Sequence, residues 1–128
     1  MADKKLILIV DDDADYREVL KTKLGASGFD VAEAENGEVG VAQAAKLAPD
    51  LVLMDVKKPK MDGVEAMTRI IHSNPKKPLH VIFLTAFGDP HPEIYATDQR
   101  FAREMGAFDY FVKTEDLDKI VEKIQKIL

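Results

Sequence analysis

Three aspartates in a row, Asp11, Asp12 and Asp13, directly follow the apolar run "LILIV", and Asp55 directly follows "LVLM". A buried run fixes where its last residue sits, so acids at two such ends that meet in one cleft repel at reduced dielectric. At about 4 Å and an effective dielectric near 20, each like-charge pair costs on the order of 4 kcal/mol. A divalent cation removes that cost. Ligation by oxygen alone suits a hard ion, and few protein ligands with water completing the shell suit Mg²⁺ better than Ca²⁺. Two further strand ends supply a hydroxyl, Thr85 after "HVIFL", and an ammonium, Lys113 after "AFDYFV". A carboxylate beside Mg²⁺, an ammonium and a hydroxyl is equipped to attack phosphorus. Asp55 is then the nucleophile that becomes an aspartyl phosphate, Mg²⁺ and Lys113 neutralise the phosphoryl oxygens, and Thr85 hydrogen-bonds one of them.

Something must bring these four strand ends together. Short apolar runs at 5–10, 29–34, 51–54, 80–85 and 107–112 alternate with longer amphipathic segments, the pattern of a parallel sheet with crossover helices. Helix faces are marked by Tyr16, Val19, Leu20, Lys23 and Leu24, by Val39, Ala42 and Leu47, by Val64, Met67, Ile70 and Ile71, and by Leu117, Val121, Ile124 and Leu128. A further helix is expected after Pro92. Asp13 is the expected N-cap of the first helix, and Thr114, followed by Glu115 and Asp116, that of the last. Gly28, Pro49 and Gly106 punctuate helix ends. In an open α/β sheet, ligands bind beyond the carboxyl ends of the strands, where strand order reverses. The polar strand ends converge if the order is 2-1-3-4-5, an order taken over from flavodoxin-like sheets; the second strand ends in nothing comparable.

At 128 residues without cysteine, the expectation is one domain over 1–128 that buries a core without disulfides. A formal charge of −5 argues against direct nucleic-acid or anionic-membrane binding, and the basic stretches "KKPK" and "PKKP" are short enough to be solvated loops. No apolar run has the length of a membrane span or a secretory signal, so a cytoplasmic location is expected.

Taken in order and spacing, "VDD" at 10–12, "LMD" with Pro59 and "MDG" at 61–63, "LTA" at 84–86 and "GAFDYFVK" at 106–113 form a specific set. On these residues the chain resembles the receiver domains of two-component response regulators, similar to CheY, over essentially its whole length. The resemblance implies an α/β doubly wound sandwich of five parallel strands and five helices. It also implies an Asp55 that takes its phosphoryl group from a histidine kinase or phosphotransfer protein. Asp12, Asp55 and the backbone carbonyl of Lys57 would bind Mg²⁺ directly, and Asp11 through water. Thr85 and Tyr110 would be the switch residues, signalling through a face built by the fourth helix, fifth strand and fifth helix to a downstream partner the sequence does not name.

Three features depart from the family pattern. Lys58 replaces a usual apolar residue, Thr114 replaces the proline that usually follows the lysine, and the stretch from Thr85 to Gly106 is longer than usual. Lys57 and Phe87 stand where the family tunes hydrolysis of the phosphorylated state. His72, His80 and His91 lack the context of a phosphodonor and are read as surface or loop residues. The competing expectations are a receiver that works without phosphate, a phosphatase of the haloacid dehalogenase type suggested by Asp11 and Asp13, and an FMN binder. The phosphatase reading lacks the Gly-Thr that usually follows its motif, and three aspartates would repel the phosphate of FMN.

Overall fold

A computed structural model describes residues 4–55, 69–70, 79–85, 109–113 and 116–128. It contains β1 (Leu6–Val10), α1 (Ala14–Ala26), β2 (Asp30–Ala34), α2 (Gly37–Leu47), β3 (Leu51–Asp55), β4 (His80–Thr85), β5 (Asp109–Val112) and α3 (Leu117–Ile127). All strand pairs are parallel, and the five-stranded sheet has the order β2-β1-β3-β4-β5. Of the five helices expected, three lie among the described residues. The other two fall outside them, apart from Arg69 and Ile70, which are helical.

Both faces of the sheet are covered, which is why its strands read as near-continuous apolar runs. Leu8, Val10, Val52, Met54, Val81 and Phe83 point to one face, where they pack with Ala44 of α2 and with Ile70. Ile7, Ile9, Leu51, Leu53, Ile82, Leu84 and Phe111 point to the other, against Leu20 and Leu24 of α1 and Ile120, Val121 and Ile124 of α3. The alternation along each strand is the two-residue period of the pleat. On the second face, Lys23 of α1 and Asp118 of α3 form an exposed ion pair at 2.6 Å.

The caps explain where helices start. Asp13 is the N-cap of α1 and accepts from the Tyr16 N–H at 3.1 Å, as its sequence position predicts. Asn36 caps α2 by accepting from Val39 N–H at 2.8 Å. The cap of α3 differs from expectation: it is Asp116, which accepts from the Asp118 N–H, and Thr114 lies outside the described residues. After α1 the chain turns through Gly28 at φ 96°, a left-handed conformation that favours glycine.

The buried side of α2 is also corrected. Ala42 and Leu47 are exposed, whereas Gly40 and Ala44 are buried. A Cβ added at Gly40 would stand 2.8 Å from Val10 Cγ2, so the helix crosses β1 at a distance only small residues permit. On α1 the expected face holds at Leu20 and Leu24, but Val19 is 47% exposed.

Candidate phosphoacceptor site

Register carries the polar strand ends to one place. Val10 pairs with Met54, so Asp11 and Asp55 leave adjacent parallel strands at the same level. Order reverses there: β1 continues to β2 on one side, and β3 continues to β4 on the other. That crevice is where open α/β sheets bind ligands. Thr85, at the end of β4, pairs through its backbone with Val112, and Lys113 follows directly. The predicted site residues on these strands thus share one edge of the sheet. The side chains of Thr85 and Tyr110 lie outside what is described, so the roles expected of them are not placed, and Lys57, Lys58 and Phe87 lie outside the described residues.

The described side chains form a charged cluster. Carboxylate oxygens of Asp11, Asp12 and Asp55 all lie within 4.8 Å of one another. Lys113 Nζ lies 2.6 Å from Asp11 Oδ2 and 3.1 Å from Asp55 Oδ1, bridging the two. Asp11 is buried at 1% exposure, and its other oxygen, Oδ1, accepts from the Asp13 N–H at 2.8 Å. Asp12 is exposed at the mouth.

Electrostatics follow from this crowding. Burial pushes the Asp55 carboxyl above its ordinary value, and the charges of Asp11 and Asp12 push the same way, against the pull of Lys113. Burial alone would lower the Lys113 ammonium, but hydrogen bonds and charge from Asp11 and Asp55 outweigh it and raise it. Among the described residues, three carboxylates therefore face one ammonium. The donors are hard oxygens on one side of a half-buried cleft, a set that fits a small divalent cation such as Mg²⁺.

Four supporting contacts are not foreshadowed by the sequence pattern. Arg17 donates from Nη1 to the Asp11 carbonyl, and its Nε lies 3.4 Å from Glu33 Oε1, which places a guanidinium behind the acidic loop. Glu33, near the end of β2, also pairs with Lys21 at 3.4 Å, so the carboxyl end of that strand does contribute to the site's support. The signal available was a basic residue in the first turn of the helix after the acids. Tyr16, expected only as a core residue, packs against the α1 face of the sheet, and Lys113 Nζ lies 4.7 Å from its ring centroid.

Comparison with known proteins agrees with this geometry. Residues 7–125 match the response regulator receiver domain family. The chain belongs to that family. The chemotaxis protein CheY of Bacillus subtilis is 38% identical over 123 residues, covering 95% of this receiver and 96% of CheY. The regulatory protein AtoC of Escherichia coli is 35% identical over 122 residues, covering 95% of this chain but 25% of AtoC. A CheY-like receiver domain protein from Methanospirillum hungatei superposes with a TM-score of 0.79 at 27% identity, covering 98% and 94% of the two chains. The receiver spans between 24% and 48% of the length of AtoC and several other regulators that it matches. Receiver domains are signalling domains of two-component systems. Among the described residues, no helix is long and apolar enough to cross a membrane.

Proposed function

We propose that this receiver is a phosphorylation switch, in which Asp55 accepts a phosphoryl group from the phosphohistidine of a histidine kinase or phosphotransfer protein. An Asp55 oxygen bonds to phosphorus as the P–N bond to the donor imidazole breaks, and the imidazole leaves with that electron pair and takes up a proton. The observation that carries this reading is the bridging of Asp11 and Asp55 by Lys113 inside a cluster of three carboxylates. Lys113 is placed to move from carboxylate charge to phosphoryl charge as the latter develops. Asp11 has one oxygen on the Asp13 N–H and the other on Lys113, which supports an indirect role toward the metal; in this reading Asp12, Asp55 and the backbone carbonyl of Lys57 are the direct ligands. Mg²⁺, when bound, neutralises charge on the transferring oxygens.

The added phosphoryl group brings a charge of about −2 to the cleft. Thr85 and Tyr110 then shift toward the cleft, and the β5–α3 side of the molecule reports the change to a downstream protein or domain. The receiver works in the cytoplasm as one domain over 1–128, without contacting nucleic acid or membrane itself.

Intact mass after incubation with acetyl phosphate or phosphoramidate tests this, with and without Mg²⁺ and beside Asp55→Asn. One phosphoryl increment that requires both Mg²⁺ and Asp55 is the expected result. No increment while Mg²⁺ still binds would instead indicate a receiver that works without phosphate, and turnover of a generic phosphate ester a phosphatase.

A further inference from the structure

We propose that Tyr16 is a positioning residue for Lys113, its ring forming a third wall of the place where the ammonium sits. This rests on the reading of Lys113 as the cation that serves phosphoryl transfer at Asp55. Lys113 Nζ lies 2.6 Å from Asp11 Oδ2, 3.1 Å from Asp55 Oδ1 and 4.7 Å from the Tyr16 ring centroid. The Asp55 contact must change during the reaction, because the oxygen that bonds to phosphorus gives up its share of negative charge. The attraction of the ring face for a cation does not depend on the state of Asp55. Lysine is a point charge on a flexible four-carbon stem, so a partner that persists through the reaction limits where the ammonium can wander.

Tyr16 is suited to that task because its own position is fixed. It stands in the first turn of α1, its N–H donates to the Asp13 cap at 3.1 Å, and its side chain packs against the apolar cluster under α1 and α3. The Asp13 N–H in turn donates to Asp11 Oδ1 at 2.8 Å. One short turn therefore sets both Asp11 and the ring, and the ammonium is held between them. A leucine would fill much of the same apolar space but present no negative ring face.

The experiment compares wild type, Tyr16→Phe and Tyr16→Leu, each with Lys113 and with Lys113→Met. Two quantities are read: the rate of phosphorylation by phosphoramidate with Mg²⁺, and the NMR shift of the Lys113 ε-methylene protons in the metal-free, unphosphorylated protein. Expected is a ring-current upfield shift in wild type and Tyr16→Phe that Tyr16→Leu loses. With it, Tyr16→Leu slows phosphorylation roughly three- to tenfold, Tyr16→Phe restores most of the rate, and Tyr16→Leu adds nothing to the residual rate of Lys113→Met. Equal rates and shifts for Phe and Leu overturn the proposal, as does a Leu defect that persists undiminished in Lys113→Met. If wild type takes up no phosphate, the parent reading fails, and the methylene shift alone decides whether the ring holds the lysine.

Discussion

Each end of β1 meets an aspartate, and the two ends use it in opposite ways. At the amino end, Asp50 reaches across from the start of β3: its Oδ2 accepts from the Leu6 N–H at 2.8 Å, and its own N–H donates to the Leu6 carbonyl at 2.8 Å. That carboxylate satisfies a strand terminus. At the carboxyl end, Asp11 and Asp55 share one lysine with Asp12 close by, and among the described residues the surplus negative charge has no comparable match. The residue type is the same. Asp11 too takes a backbone donor, the Asp13 N–H, so what marks the functional end is the crowding of its acids, an arrangement that lowers stability until a cation or a reaction relieves it.

The sharpest break between the two ends is chemical. Asp55→Asn should abolish the Mg²⁺-dependent phosphoryl increment, whereas Asp50→Ala, assayed well below its melting temperature, should keep it; intact mass reads both. In metal-free buffer at neutral pH the order of harm inverts. Asp50→Ala leaves the Leu6 N–H without this acceptor and should cost about 1–2 kcal/mol, or about 3–8 °C in melting temperature. Asp55→Asn removes a charge that burial and Asp11 disfavour, so its melting temperature should rise. A fall in both would show that the cleft acids hold the fold together as Asp50 does. Mg²⁺ should then act on one end alone. At ten times its dissociation constant it should stabilise wild type by about 1.4 kcal/mol and Asp50→Ala equally, with little gain for Asp12→Asn.

The comparison also marks what could be read from the sequence. The functional end was legible because a parallel sheet puts every carboxyl end on one side, so acids after "LILIV" and "LVLM" and a lysine after "DYFV" had to meet once the strand order was taken over from related sheets. The Asp13 cap was legible for a local reason, since its partner Tyr16 N–H is three residues away. Contacts between elements were not legible. The buried face of α2 turns on Gly40 and Ala44, residues that a hydrophobicity pattern ranks below Leu47 but that alone let a helix approach Val10 closely. Arg17 finds Glu33 only through the register that pairs Ile9 with Glu33, and Tyr16 finds Lys113 only through the packing of α1 over the sheet.

The smallest expected effect is the pH dependence of the functional end, and its sign is fixed by the direction of the Asp55 shift. The Asp55 carboxyl is raised above its ordinary value of 3.8 in the folded protein, so between that value and the raised one the folded state holds a proton that the unfolded chain has released. More protons bound in the folded state means that stability falls as pH rises through this window and levels off above it. Other carboxylates titrate in the same range, which is why the measured quantity is a difference: metal-free wild type minus Asp55→Asn, followed by chemical denaturation at successive pH values. That difference should become less favourable to wild type as pH increases. Saturating Mg²⁺ should reverse the slope, because the cation binds the ionised carboxylate and so rewards its deprotonation. If the metal-free difference does not fall as pH increases, the crowding of acids does not govern Asp55, and the distinction between the two ends of β1 rests on position alone and not on charge.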